Sequence, residues 1–213
     1  MPGLCAKTAD AIGGFMEWRR AIRGFFVEIW SPLDKLLAMA RTIGYHLVKS
    51  CFGTWLPGDS RGHWSTAWDD EIGYFEPHQL HEGDSIRKRM ATELMKHPPT
   101  RLDKAMIDAV ALAVGACVAE SDWKIAAAAI EPTHMHLLIT FTNRDIELTA
   151  KWIAQMTTKA VHRSTAFDRP LWCGGKWLGF IYDEGHWNNA RLYIERHNVR
   201  RGLPARPWDW ITG

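Results

Sequence analysis

The chain has 213 residues, of which 46% are hydrophobic and 23% are charged, and its formal net charge at pH 7 is +2. This length and hydrophobic content are enough for one well-buried domain with an appendage. No apolar run approaches the length needed to span a bilayer, which excludes an integral membrane protein and predicts a soluble one.

The positive charge lies in the C-terminal third. Between Arg144 and Arg206 there are eleven Lys and Arg against six Asp and Glu, a net charge of +5. Such a bias fits either a polyanionic partner or an ordinary solvated surface.

The four cysteines, Cys5, Cys51, Cys117 and Cys173, are scattered along the chain. They show no Cys-x-x-Cys spacing, and no secretory signal precedes them. This pattern predicts reduced thiols and a cytoplasmic location.

Residues 1–43 differ in character from the rest and are predicted to be an N-terminal helical extension of unknown role. Glycines interrupt their apolar pattern, and aromatic residues are mixed with arginines. Either these residues form helices packed on the core, or they are a basic amphipathic segment that contacts a membrane, a nucleic acid or a partner helix. The main domain is then predicted at 44–213.

The first predicted strand, Tyr45 to Phe52, leads into a loop rich in Gly and Pro at 53–62. Trp55 and Arg61 lie in this loop, where they could stack on and hydrogen-bond an unpaired base. A loop held together by its own tryptophans is the alternative. The following stretch, about 63–100, is polar, with a helical patch around Asp84 to Met95, and is predicted to be a surface insertion.

The remaining elements alternate in a recognisable order. Helices are predicted at 101–120, 146–164 and 187–198, and strands at 123–130, 134–140 and 176–182. The alanines at 126–129 favour a helix by propensity, but Glu131-Pro132 ends the segment just before the next strand, so a hairpin fits better. The predicted fold class is α+β, a ferredoxin-like βαββαβ antiparallel sheet with an additional C-terminal helix.

Two histidines, His134 and His136, are separated by one apolar residue within a predicted strand. Side chains in a strand alternate between faces, so both imidazoles lie on one face, while Met135 and Leu137 anchor the other face in the core. This arrangement suits a metal site or acid–base chemistry, although two ordinary strand histidines give the same pattern. A metal site requires a third ligand from elsewhere.

The last predicted helix offers that third group. Tyr193 and His197 are four residues apart and therefore share a helix face. A tyrosine beside a divalent cation can attack a phosphodiester and become covalently linked to it. Alternatively, the Tyr193 ring packs inward with its hydroxyl at the edge of the core.

Three motifs together resemble those of the single-tyrosine HUH transposases (the IS200-like transposase family), with the REP-associated branch the nearest likeness. They are GTWLPGDSRG at 53–62, EPTHMHLL at 131–138, and Trp172 about twenty residues ahead of Tyr193-Ile194. The resemblance covers about residues 45–210. It implies a DNA nicking and strand-transfer enzyme that acts on hairpin-forming, REP-like single-stranded DNA through a 5′-phosphotyrosine intermediate and a divalent metal ion, Mg²⁺ or Mn²⁺.

Carried over residue by residue, the resemblance makes His134 and His136 metal ligands and Tyr193 the nucleophile. His197 stands where the family usually has Asn or Gln as the third ligand. The usual Asn-Pro is replaced by His197-Asn198, so either His197 or Asn198 could complete the site. The first 43 residues have no counterpart in the family.

The predicted partner is a single-stranded DNA hairpin, bound by a monomer or a homodimer without a membrane. The residues predicted to contact DNA are Trp55, Arg61, Lys176, Trp177, Arg191, Arg196, Arg200 and Arg201. A non-cleaving, domesticated hairpin-DNA-binding protein is the alternative, since it would keep the basic and aromatic surface without needing the metal.

Overall fold

The structure is a computed structural model that describes residues 42–62 and 81–213. Residues 1–41 of the predicted extension and residues 63–80 of the predicted insertion lie outside the described residues.

Four strands and four helices make up the described part of the chain. In order they are β1 (Gly44–Ser50), α1 (Ser85–Glu93), α2 (Lys104–Ala119), β2 (Ile125–Ile130), β3 (His134–Thr140), α3 (Ile146–Ser164), β4 (Trp177–Ile181) and α4 (Glu184–Arg200). The strands form one antiparallel sheet in the order β2-β3-β1-β4. The predicted α+β fold, a βαββαβ sheet followed by a C-terminal helix, is confirmed.

The two faces of the sheet are covered by different helices. On one face, Met135, Leu137 and Ile139 of β3 pack into a core that includes α2 and α3. On the other face, Leu138 packs with Ile194 of α4 in a second cluster. Because side chains alternate along a strand, the even-numbered residues of β3 face α4.

Each of the three helices that cover the sheet has an aspartate as its N-cap residue. Asp103, Asp145 and Asp183 each accept hydrogen bonds from backbone N–H groups in the first turns of α2, α3 and α4. Such caps satisfy donors that a helix leaves unpaired at its start. No helix in the described ranges is long and apolar enough to cross a membrane.

The alanine-rich segment is a strand, as the hairpin interpretation predicted. Glu131 N–H donates to the carbonyl of His134 across the turn between β2 and β3 (2.8 Å). Ala127 and Ala129 are fully buried in the same cluster as Ala190 of α4. Small side chains on both surfaces let α4 lie close to the sheet, which explains why packing overrides the helix propensity of alanine.

Candidate functional site

His134 and His136 lie at the start of β3, in the middle of the sheet, and on the face covered by α4. His136 is opposite Val48 of β1, and its side chain is buried, with 1% exposed. The two histidines therefore share a face, as their spacing predicts. Helix α4 covers that face at His136, whereas His134, Tyr193 and His197 are each partly exposed.

Helix α4 brings the predicted third histidine to the other two. Nitrogen atoms of His134, His136 and His197 all lie within 4.8 Å of one another, close enough to hold one metal ion. The Tyr193 ring lies beside them, with its centroid 4.8 Å from that of His197 and 5.6 Å from that of His136. The helix and the strand thus place one tyrosine next to three imidazoles.

A carboxylate orients His197. The Nδ1–H of His197 donates to Glu131 Oε1 at 2.7 Å, and this bond directs the Nε2 atom away from the carboxylate. Glu131 Oε2 is also 3.8 Å from His134 Nε2. Metal-binding histidines commonly donate their second ring N–H to a carboxylate in this way, which fixes the ring and raises its basicity.

A fourth histidine, His46, lies within hydrogen-bonding distance of the Nδ1 atom of His136. His46 of β1 places its Nε2 atom 3.1 Å from His136 Nδ1, with ring centroids 5.3 Å apart. If His136 binds a cation through Nε2, its proton resides on Nδ1 and is donated to His46. His46 would then play for His136 the part that Glu131 plays for His197.

Among the three candidate ligands His134, His136 and His197, two ring nitrogens are buried without a hydrogen-bond partner in the described part of the chain. They are Nε2 of His136 and Nε2 of His197. A buried nitrogen left unpaired costs roughly 1 to 3 kcal/mol, so such atoms need an explanation. A cation held between them would satisfy both lone pairs, and the donor set therefore fits a divalent metal ion.

Burial keeps the imidazoles of His134 and His136 neutral, the form that binds metals. It lowers the pKa of His134 to about 4, although the charge of Glu131 opposes the shift, and it lowers the pKa of His136 well below the usual value. Burial raises the pKa of Glu131, but the hydrogen bond from His197 and the charges around it prevail, so the net pKa is lowered. At neutral pH, His134 and His136 therefore offer lone pairs beside one carboxylate.

Asn198, the alternative third ligand, is tied to the backbone elsewhere. Its Nδ2 donates to the carbonyls of Ala128 (2.8 Å) and Ala205 (2.9 Å), and its side chain is fully buried. Asn198 thus links α4 to β2 and to the C-terminal segment, while His197 lies with the strand histidines.

The four predicted DNA-binding arginines at 191–201 differ in their surroundings. Arg196 and Arg200 on α4 are exposed. Arg191 lies 3.7 Å from Glu195, and the Arg201 guanidinium donates to the carbonyl of Ile130 at 2.6 Å. Arg196 and Arg200 therefore offer their charge to solvent, whereas the other two have partners within the chain.

The loop at 53–62 is held by its own side chains. The Trp55 indole N–H donates to the carbonyl of Gly62 at 2.6 Å, and the Arg61 guanidinium lies over the Trp55 ring at 4.5 Å. Arg61 also binds the nearly buried carboxylate of Asp59 at 2.7 Å. These contacts favour the interpretation in which the loop is held together by its own side chains, because Arg61 covers one face of Trp55.

The remaining two predicted DNA contacts are neighbours at the beginning of β4. Lys176 forms an ion pair with Glu147 of α3. Trp177 lies on the other face, with its ring centroid 5.1 Å from that of His46. Trp177 therefore borders the histidine cluster, and Lys176 does not.

Sequence analysis missed Glu131 and His46. Glu131 lies three residues before His134 in the quoted motif, and an acidic residue so close to two histidines was a signal for a supporting carboxylate. His46 carried no such signal. Its place behind His136 depends on the pairing of β1 with β3, which the sequence does not specify residue by residue.

No protein-family model matches the chain, and no match was found among curated proteins. Among solved structures, the chain is similar to a REP-associated tyrosine transposase bound to a REP hairpin. The two are 12% identical with a TM-score of 0.47, over 80% of this chain and 76% of that chain. A similarity this distant carries no information about function, so the function is inferred from the side chains described above.

Proposed function

We propose that this chain is a metal-dependent enzyme that cleaves and transfers single-stranded DNA through a covalent bond to Tyr193. The observation that carries the proposal is the tyrosine ring beside three histidines, two of which have buried ring nitrogens without a partner in the described part of the chain. The motif resemblance stated for the sequence supports the same chemistry.

His134, His136 and His197 would hold the cation. When bound, a divalent ion would polarise a phosphodiester and offset the charge that develops on its oxygens. Three nitrogen ligands suit Mn²⁺ better than Mg²⁺, which prefers oxygen, so we expect stronger activity with Mn²⁺.

Tyr193 supplies the nucleophile in this proposal. Its hydroxyl oxygen forms a bond to the phosphorus, and the bond from phosphorus to the 3′ oxygen breaks. The phenol loses a proton and the departing 3′ oxygen gains one, so the step is balanced. The tyrosine then carries the 5′ phosphate, and attack by a 3′ hydroxyl on that linkage reverses the step and joins a DNA strand.

A hairpin-forming, REP-like single strand is the proposed substrate. The exposed Arg196 and Arg200 lie on the same helix as Tyr193 and can contact phosphates near it. Trp177 borders the cluster and is a candidate for stacking on an unpaired base.

The test is a denaturing gel of 3′-labelled single-stranded hairpin DNA, taken from the repeats beside the gene and incubated with Mn²⁺ or Mg²⁺. We expect the label to migrate with the protein for the wild type and not for Tyr193→Phe, which keeps the ring and the helix. Hairpin affinity should be unchanged in this variant.

The outcome also separates the enzyme from the alternative, a hairpin-DNA-binding protein that does not cleave. Tight hairpin binding without any covalent label in either metal would support the binder. A label retained by Tyr193→Phe would overturn the assignment of the nucleophile.

A further inference from the structure

A second basic feature lies on the opposite face of the sheet from the histidine cluster. A groove of about 830 Å³ runs between α3 and the segment at 170–176. Ligand sites commonly have volumes of roughly 300 to 1,000 Å³, so this groove is large enough to hold part of an extended molecule.

The charges that line this groove are mostly positive. Among the described residues, Lys49, Lys151, Lys159 and Lys176 line it together with one carboxylate, that of Glu147. Lys151 and Lys159 are exposed on α3, eight residues apart, which is about 12 Å along a helix. Two exposed cations at this spacing can contact two phosphates of one extended strand.

Lys49 and Lys176 form the end of the groove nearest the sheet. Lys49 is nearly buried, with 9% exposed, and its ammonium group donates to the carbonyls of Cys173 (2.7 Å) and Gly175 (2.8 Å). Burial and the neighbouring charge of Lys176 both lower its pKa, although Cys173 opposes the shift. The carboxylate of Glu147 already pairs with Lys176 at this end of the groove.

The wall of the groove is apolar. Leu148 of α3 lines it and is 64% exposed, and the largely buried Leu171 and Trp172 lie on the other side. A ligand that fits both the wall and the lysines needs apolar planar groups joined by negative charges. Single-stranded nucleic acid has this composition, because its bases can contact the apolar wall and its phosphates can contact the lysines.

The groove and the histidine cluster both border the start of β4, at one edge of the sheet. Lys176 pairs with Glu147 on the groove side, and Trp177, the next residue, contacts His46 on the cluster side. A single strand lying in the groove can therefore pass the start of β4, which is an edge strand, and reach the face that carries Tyr193. This continuity favours a nucleic acid over an acidic peptide.

We infer that the groove lined by Lys151 and Lys159 binds a single-stranded segment of DNA that continues from the segment held at Tyr193. This inference rests on the proposed function for its choice of ligand. Binding in the groove requires neither the metal ion nor the tyrosine hydroxyl, so it can be measured separately from cleavage.

The first experiment measures fluorescence anisotropy of a labelled dT12 oligonucleotide with full-length Tyr193→Phe protein in EDTA. Adding Lys151→Ala and Lys159→Ala should lower the affinity roughly 25-fold at 0.1 M salt and reduce the slope of log K against log salt by about 1.4, since each contact to single-stranded phosphate contributes about 0.7. The matched control is Lys104→Ala with Lys124→Ala, two exposed lysines outside the groove, which should leave affinity unchanged. Equal losses in both pairs, or no loss in the groove pair, would overturn the inference.

The second experiment locates the ligand by lysine acetylation and mass spectrometry. Bound dT12 should protect Lys151 and Lys159 from acetylation and leave Lys104 and Lys124 reactive. Equal protection by poly-glutamate at the same charge concentration would show a peptide site and contradict the assignment to nucleic acid. If dT12 protects Lys151 and Lys159 but the wild type forms no covalent adduct with DNA, the proposed enzymatic activity is rejected and the groove assignment is kept. If the adduct forms but dT12 does not protect these lysines, the groove assignment alone is rejected.

Discussion

Glu131 is the residue on which the geometry of the third histidine depends. Its carboxylate holds His197 at 2.7 Å and also lies 3.8 Å from His134. Removing the negative charge while keeping the shape should loosen the hold on the ring of His197.

We therefore predict that Glu131→Gln weakens Mn²⁺ binding about 10- to 100-fold, the usual effect of losing a supporting carboxylate. Isothermal titration calorimetry of the metal alone measures this without any DNA. Glu120→Gln, at the end of α2 and away from the cluster, is the matched control and should bind Mn²⁺ as the wild type does. Unchanged affinity in Glu131→Gln would mean that His197 is not positioned by this carboxylate.

Single residues also show where prediction from sequence reached its limit. The period-two spacing of His134 and His136 and the helical spacing of Tyr193 and His197 predicted which side chains share a face. They did not predict that α4 covers the strand histidines. Neither did they predict His46, because its contact with His136 requires the register of two strands 90 residues apart.

Among the elements, β1 is one of the two central strands of the sheet. It lies between β3 and β4, and α4 crosses its beginning at Gly44. A Cβ atom added at Gly44 would lie 2.3 Å from Cζ3 of Trp187 and 2.6 Å from the backbone oxygen of Ile139. The ring can move, but the strand oxygen is fixed by the sheet.

Gly44→Ala is therefore expected to lower the free energy of unfolding by about 1 to 3 kcal/mol, the usual cost of adding atoms to a packed site. Urea denaturation measures it. Gly174→Ala is the control, since no atom lies within 4 Å of its added Cβ, and it should change stability little. Equal stability of the two variants would contradict the close approach of α4 to β1.

The elements themselves were largely predictable because each carries its own periodic pattern and its own boundary residues. The alanine strand β2 was assigned correctly through the Glu131-Pro132 stop rather than through propensity. The loop at 53–62 was open to two interpretations because the same Trp and Arg side chains can stack on a base or on each other. Only their distances, such as 4.5 Å between the Arg61 guanidinium and the Trp55 ring, favour the second.

The molecule as a whole buries several neutral histidines, and this makes its stability depend on pH. Burial lowers the pKa of His46 to about 3 and that of His134 to about 4, from an ordinary value of 6.5. Between about pH 6.5 and about pH 4, the unfolded chain binds protons that the folded chain does not. The free energy of unfolding must therefore fall as pH falls through this window.

For metal-free protein in EDTA, we predict a lower urea midpoint at pH 5 than at pH 7. His46→Gln should show a smaller difference between the two pH values, because one buried imidazole is removed. The exposed His162 on α3 provides the control, and His162→Gln should keep the wild-type pH dependence. Identical midpoints at both pH values for the wild type would contradict the buried, neutral cluster.

Two surfaces of the molecule, the Tyr193 face and the lysine-lined groove, meet at the start of β4. The covalent step on the first surface is the central claim, and the position of the nucleophile is its most specific part. Tyr45 and Tyr182 are the other described tyrosines, and burial raises the pKa of both, with Tyr182 adding to the shift at Tyr45.

The most direct measurement is tandem mass spectrometry of the wild-type protein after incubation with hairpin DNA and Mn²⁺, followed by nuclease and protease digestion. We predict a residual nucleotide phosphate on the peptide that contains Tyr193, and on no other peptide. A nucleotide on Tyr45 or Tyr182, or no modified peptide under conditions where the hairpin is bound, would contradict it.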